Sequence, residues 1–426
     1  MSPGFARTPD DFDPAVRAHR VADVTVTVVA DGAPLADAEV VLAQRDHRFL
    51  FGNIGFDQIA LANGALDGPQ REHAERIADR WLALFNAATL PFYWSRFEPE
   101  RGAPDTGRLL ATARWFKERG CVVKGHPLAW HTLAPPWLVD APVEEVAREQ
   151  VARIRRDAAA FAGVLDAWDV INEVVIMPVF DKEPNGLTRL CREIGRIPLV
   201  RMVFDAAREA DPSATLLLND FDMSTAYECL IEGLLEAGIK IDALGLQSHM
   251  HQGYWGEERT LETIDRFARY GLPLHFTETT LLSGHLMPPE IVDLNDYQIP
   301  SWPSTPEGEQ RQAEEVVRHY TTLLSHPAVV SATYWGLTDG GWLGAPGGLL
   351  RVDGTPKPSY DALFALVKGD WWTAPTPLRT DAAGRVRFAG FLGGYELRTG
   401  DRTATFDVAR PGEQAVTVPV GPPVAD

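Results

Sequence analysis

Ala167-Trp168-Asp169-Val170-Ile171-Asn172-Glu173-Val174-Val175 is the stretch on which the fold turns. Its aromatic and β-branched residues predict a short strand buried on both faces. The strand finishes in an amide, Asn172, and a carboxylate, Glu173. A charge leaving an apolar strand is costly unless it has a use. Such conflicts between local pattern and content mark functional positions. The plainer reading is a strand-end glutamate that reaches solvent or pairs with an arginine.

Comparable apolar runs recur on either side of this stretch, at 87–90, 121–125, 215–218, 243–246, 274–277 and 329–335. Helical periodicity separates them, at 72–86, 109–119, 143–161, 199–210, 226–237, 261–270 and 307–324. Strand then helix, repeated over about 300 residues, predicts parallel strands with helical crossovers. With Leu50–Ile54 as the first strand the count approaches eight, and a (β/α)8 TIM barrel over 51–370 is expected. A doubly wound sheet is disfavoured because no Gly-rich phosphate loop follows a strand. Gly344-Ala-Pro-Gly-Gly348 lacks the Lys-Ser/Thr pair of a P-loop.

The ends of the chain have a different texture. Residues 1–20 read as a loose polar arm. Val21-Ala-Asp-Val-Thr-Val-Thr-Val-Val29 largely alternates, Asp31-Gly32 supplies a turn, and 38–43 forms a second strand. A lone hairpin is marginal in water. Partners stand at the far end, in short strands at 385–389, 395–398, 403–408 and 414–419. These pieces resemble a transthyretin-like or carboxypeptidase-regulatory-like β-sandwich, split here by roughly 330 residues of chain. One small sandwich is therefore expected from 21–50 and 371–426, with the barrel inserted into it. Two unrelated β decorations are the alternative. A structural rather than glycan-binding role is expected for it, since its strands show few exposed aromatics.

The 426 residues carry a net charge of −19. That disfavours nucleic-acid and anionic-membrane partners, which need basic surfaces, and suits a neutral substrate. No run of 18 apolar residues occurs, so no membrane span is expected. The three cysteines Cys121, Cys191 and Cys229 show no metal or disulfide spacing. The N-terminus lacks an apolar signal core, and a cytoplasmic location is the expectation. Oligomeric state is not legible.

A barrel carries its chemistry at the C-terminal ends of its strands. The polar residues expected there are His126, Trp130 and His131, then Asn172 and Glu173, Asn219 and Asp220, Gln247 and His249, Glu278, and finally Trp335, Asp339 and Trp342. Two carboxylates on different strands, among amides, imidazoles and indoles, suit cleavage of a glycosidic bond. One carboxyl must hold a proton for the leaving oxygen while the other is ionised to attack. Two like groups held close split their pKa values and make both roles available. Asn172 is placed to bind a sugar hydroxyl, and His249 to hold the nucleophile ionised. A metal site from His126, His131, His249 and Glu278 lacks the HExxH spacing. A serine nucleophile lacks its G-x-S-x-G turn. His251 is taken as a surface or satisfied loop histidine. No metal or cofactor is expected, and the partner is a carbohydrate or glycoside substrate.

In these motifs the sequence resembles glycoside hydrolase family 10, the endo-β-1,4-xylanases, across about residues 50–365. Gly125-His-Pro-Leu-Ala-Trp-His131 with Pro136-Trp137 resembles the GHxLxWH…PxW segment, and Trp168-Asp-Val-Ile-Asn-Glu173 the WDVxNE strand. Leu218-Asn-Asp220, Gly245-Leu-Gln-Ser-His249, Phe276-Thr-Glu278, Thr333-Tyr-Trp-Gly-Leu-Thr-Asp339 with Trp342, and Lys357-Pro-Ser-Tyr360 follow in the family's order. The resemblance implies a retaining polysaccharide-degrading hydrolase with Glu173 as acid/base and Glu278 as nucleophile, about 5–5.5 Å apart. It places His126, Trp130, Asn172, Gln247, His249 and Trp335 around the sugar, with Trp342 covering it.

Two departures stand out. The family's ENxxKW segment, which grips the second sugar, is replaced by Thr89-Leu-Pro-Phe-Tyr-Trp94, so Thr89, Leu90 and Tyr93 occupy the Glu, Asn and Lys positions. Polar grips are lost and Tyr93 offers an aromatic surface. The Asp that usually braces the histidine is replaced by Thr280. Three readings follow: an endo-xylanase-like enzyme, a glycosidase releasing a mono- or disaccharide from a small plant glycoside with an apolar aglycone, and a non-catalytic glycan-binding protein.

Overall fold

A computed structural model describes residues 12–421. Eight strands form one closed parallel sheet: β1 (Leu50–Ile54), β2 (Ala87–Pro91), β3 (Val122–His126), β4 (Ala167–Asn172), β5 (Thr215–Asp220), β6 (Ala243–Leu246), β7 (Leu274–Leu281) and β8 (Val329–Tyr334). β8 pairs with β1, which closes the ring. A helix returns the chain after each strand, as in Val143–Phe161 after β3 and Pro306–Ser325 after β7. This is the (β/α)8 barrel.

Every residue of β4 is buried, as a parallel strand covered on both faces requires. Trp168 fits there because its neighbour on β3 is Gly125. A Cβ on Gly125 would stand 2.2 Å from the indole. Helix Val143–Phe161 buries Val146, Gln150, Arg153, Ile154, Asp157, Ala158 and Phe161, a stripe at helical spacing. Its buried Arg153 donates to the carbonyls of Leu128, Phe92 and Pro127. One guanidinium thereby ties together the loops after β2 and β3, which carry Tyr93 and Trp130.

Strand Val21–Ala30 pairs antiparallel with Arg385–Phe391 and parallel with Gly412–Val420. Strand Glu39–Gln44 lies between Thr376–Arg379 and Gly393–Thr399, with Arg402–Val408 beyond. The two sheets share one apolar cluster, including Val24, Val26, Leu42, Phe388, Tyr395 and Phe406. The small sandwich thus draws strands from both ends of the chain. Phe51 of β1 stacks on Trp371, ring centroids 5.9 Å apart, where sandwich meets barrel.

The arm expected over 1–20 is not loose where it is described; residues 1–11 lie outside the described range. Pro14–Arg20 is a helix whose cap, Asp13, accepts from the N–H groups of Ala15 and Val16. Buried Arg20 donates to the carbonyls of Leu324, His326 and Val329 at the end of helix Pro306–Ser325 and the start of β8. Polar composition concealed this docking, because the anchoring bonds go to backbone. Among the described residues no helix is long and apolar enough to cross a membrane.

Candidate active site

Both carboxyl-bearing strands shift register close to the carboxyl. The pairing of β4 with β5 shifts between Asp169 and Ile171, after which Asn172 lies beside Asn219. The pairing of β7 with β8 shifts between Phe276 and Thr279, on either side of Glu278. Bulges of this kind re-aim side chains. Glu173 itself is left-handed, with φ 56°. That conformation costs a non-glycine residue on the order of 1–2 kcal/mol. Its N–H still bonds to the Asn219 carbonyl at 2.9 Å, so the surrounding ladder enforces the turn.

Glu173 accepts from Trp130 Nε1 at 2.8 Å, Asn172 Nδ2 at 3.0 Å and Gln247 Nε2 at 3.2 Å. Glu278 accepts from Asn219 Nδ2 at 3.0 Å and pairs with His249 Nε2 at 3.1 Å. Two amides connect the carboxyls. Asn219 Nδ2 also donates to Asn172 Oδ1, at 2.7 Å, while Asn172 in turn donates to Glu173. Thr277 fixes the Asn219 amide by donating to its Oδ1 at 2.7 Å.

The two carboxyls are driven apart in acidity. Burial, then the nearby Glu278 and Asp220 charges, raise Glu173 from the usual 4.5 to about 8. Burial also pushes Glu278 upward, but the field of His126 and the hydrogen bond and field of His249, with Lys124 behind them, outweigh it. Glu278 ends below the ordinary carboxylate value. One group is thus kept protonated and the other ionised near neutrality, the division that general acid and nucleophile require. Asp220, which accepts the Val175 N–H at 3.0 Å, is itself raised by burial to about 7.

His126, Trp130, Asn172, Gln247, His249, Trp335, Trp342 and Tyr93 all come to this mouth. Trp335 sets its edge against His126, centroids 5.2 Å apart, and Trp342 lies over His249 at 4.1 Å. Tyr93 packs against both His126 and Trp130, 5.7 Å from each. His249 Nδ1 reaches Thr280 Oγ1 at 2.9 Å, so a neutral hydroxyl braces the imidazole. Gln247 bridges Asn172 and Glu173.

Three findings differ from the reading of the sequence or extend it. His251, expected as a surface or satisfied loop histidine, is fully buried, and neither ring nitrogen has a hydrogen-bond partner among the described residues. It packs beneath Trp342, which explains its burial. Lys124 and Asp169 were not singled out. Asp169 Oδ2 accepts from Lys124 Nζ at 2.7 Å and meets His126 Nδ1 at 2.8 Å. Charged residues inside otherwise apolar strands were the available signal, the same one that marked Glu173. Finally, the residues weighed for a metal are engaged otherwise: His126 with Asp169, His249 with Glu278, and His131 with Phe180, whose tilted ring lies 4.2 Å away, while His131 Nε2 stands 3.9 Å from Glu173. Among the described residues no cluster of three or more metal-ligating side chains converges.

The spacing of the amides is tight enough to test. A Cβ on Gly245 would lie 2.2 Å from Asn219 Oδ1. Gly245→Ala must therefore displace the amide that holds Glu278. A fall in kcat of about 10- to 100-fold with an unchanged circular-dichroism spectrum is expected, since misplacement by about 1 Å costs that much.

A (β/α)8 barrel with two buried carboxyls of opposed acidity, ringed by indoles and amides at its mouth, is the equipment of a glycoside hydrolase. The model of glycosyl hydrolase family 10 matches residues 62–366. Endo-1,4-beta-xylanase B of Thermotoga neapolitana is 27% identical over 334 residues, covering 74% of this chain and 88% of that protein. Endo-1,4-beta-xylanase 3 of Hypocrea jecorina is 24% identical over 285 residues, 65% of this chain and 73% of that one. Among solved structures, xylanase 10B from Thermotoga maritima superimposes with a TM-score of 0.61 at 24% identity, covering 75% of this chain and 95% of the other. The family 10 structure from Paenibacillus barcinonensis gives 0.63 at 24% identity, with 76% and 96% covered. The chain belongs to glycosyl hydrolase family 10. It is a hydrolase with a carbohydrate substrate, which removes the non-catalytic binding alternative.

Proposed function

We propose that the protein is a retaining β-glycosidase acting on β-xylosidic substrates, with Glu173 as acid/base and Glu278 as nucleophile. The observation that carries this is the opposed acidity of the two carboxyls, joined through Asn172 and Asn219. Glu278 attacks the anomeric carbon while Glu173 gives its proton to the departing oxygen. The covalent glycosyl ester that results is then hydrolysed by water, from which Glu173 takes back a proton. Asn172, His126 and Gln247 bind sugar hydroxyls, and the faces of Trp335 and Trp342 take its apolar surface. The relatives above are named endo-1,4-β-xylanases, which supports a xylose-type glycone.

The 89–94 segment favours small glycosides over xylan. Thr89 and Leu90 both lie within β2 and are buried, so neither presents a polar group to a second sugar. A cavity of about 320 Å³ opens there, its lining including Tyr93, Phe56, Trp335 and Trp342 together with the charged Arg96, Asp105 and Arg108. Proton NMR of the first product released from an aryl β-xylobioside tests the mechanism. The β-anomer is expected before mutarotation, and initial α-anomer would rule out retention.

A further inference from the structure

The loops after β4 and β7, the strands bearing the two carboxyls, are fastened to each other. Lys182, after β4, donates to Asp293 at 2.8 Å and to Asp296 at 2.5 Å, near the tip of the 282–305 loop. β5 and β6 lie between β4 and β7 in the closed sheet. The ion pairs therefore complete a strap around the mouth of the barrel on the β5–β6 side.

The strap does not depend on those pairs for its own shape. Gln252, after β6, donates to the carbonyls of Pro288 at 2.9 Å and Ile291 at 2.7 Å. Trp302 stacks with His285 and bonds its carbonyl at 2.9 Å. Leu282, Met287, Trp302 and Ala345 form a small apolar core of their own. Exposed ion pairs contribute little to stability. The 282–305 loop is held in reach by its core, and Lys182 closes the remaining gap.

The loops it joins rise from β4 and β7, which flank β5 and β6, across the ring from the ends of β1, β2 and β8 that line the cavity beside Tyr93 and Trp335. A linear polysaccharide must leave the site in both directions. We propose that the Lys182–Asp293/Asp296 strap bounds the leaving-group side and restricts the enzyme to glycosides with a compact leaving group, a single alcohol or phenol rather than a continuing glycan chain. This rests on the retaining-glycosidase reading, in which Glu173 protonates the leaving oxygen.

The test compares wild type, Lys182→Ala, Lys182→Arg and the Asp293→Asn/Asp296→Asn double variant on two substrates. One is 4-nitrophenyl β-xylobioside and the other β-1,4-xylohexaose. Wild type is expected to favour the aryl glycoside in kcat/KM by about 100-fold, and Lys182→Ala and the double variant to narrow that ratio by about 10-fold through faster hexaose cleavage. Aryl activity within about twofold of wild type reports intact folding, and Lys182→Arg should behave as wild type. A wild type that cuts hexaose as well as the aryl glycoside, or a ratio unchanged in Lys182→Ala, overturns the strap alone. A wild type that cuts no aryl β-xyloside, β-xylobioside, β-glucoside or β-cellobioside overturns the glycosidase reading beneath it.

Discussion

Replacing Glu278 by alanine is expected to lower turnover of every glycoside substrate by about 10⁴-fold or more. In the proposed mechanism this side chain forms the covalent bond to the sugar, and nothing beside it can substitute. Asn219 and His249, which hold it, are an amide and an imidazole already committed to neighbours at 2.7 Å and 2.9 Å. The vacated volume admits a small anion. Sodium azide should restore part of the rate on an activated aryl β-glycoside, and the product should be the α-glycosyl azide, because azide then attacks in place of Glu278. Loss of less than about tenfold, or a β-azide from this variant, would show that Glu278 is not the nucleophile.

Glu173→Gln has the second largest expected effect, and a different signature. A general acid contributes about 10²- to 10⁴-fold, so cleavage of substrates with poor leaving groups should fall by that factor. An aryl glycoside with a good leaving group needs no proton, so its glycosylation step should be spared while deglycosylation slows. Azide should here give the β-glycosyl azide, by attack on the glycosyl ester from the face Glu173 guards. The pH profile follows from the acidities. In wild type, kcat/KM should fall as pH rises through about 8, where Glu173 loses its proton, and fall in acid as Glu278 gains one. The alkaline limb should vanish in Glu173→Gln.

Stability carries the same sign. The folded pKa of Glu173 lies above its usual 4.5, at about 8, so the native state binds the extra proton between those values. Stability from this group falls as pH rises across that window, and the full cost persists above it. Glu173→Gln removes the cost. The variant should be more stable than wild type at pH 8.5 by on the order of 4 kcal/mol and gain little at pH 4.5. Calorimetric melting at the two pH values measures this, and an equal Tm shift at both would contradict the raised pKa.

Much of the barrel was legible because each strand is buried on both faces and reads as a short apolar run. The run expected at 167–171 is strand Ala167–Asn172, and the one at 243–246 is Ala243–Leu246. Helix starts were less legible. Periodicity shows only once apolar residues begin, so the helix expected from 72 in fact opens at Gly68 with a polar first turn. The carboxyl pair was visible as charge at strand ends. What made the pair work was not visible. The register shifts beside Ile171 and Glu278 leave residue types unchanged, and a bulge has no letter of its own. The amide connection through Asn219 depends on those shifts. The apolar core of the 282–305 loop was hidden for another reason: its members are scattered among prolines and polar residues without period.

The resemblance also explains where the substrate signal lies. The residues proposed to break the bond follow the family's motifs in order, whereas Thr89, Leu90 and Tyr93 stand where the resemblance places contacts to a second sugar. The fold places the first two in the interior and leaves Tyr93 facing the cavity. On the proposed reading, chemistry and specificity are carried by different strands, β4 and β7 for one, β2 with the loops after β4 and β7 for the other.

The central claim is that Glu278 forms a covalent glycosyl ester. Incubation with a 2-deoxy-2-fluoro-β-xylobioside bearing a good leaving group should trap that ester, because fluorine slows its hydrolysis. Peptide mass spectrometry should then find one added fluorosugar on the peptide carrying Glu278, and none in Glu278→Ala. A label on Glu173, or full turnover of the reagent with no label and an inverted product, would contradict it.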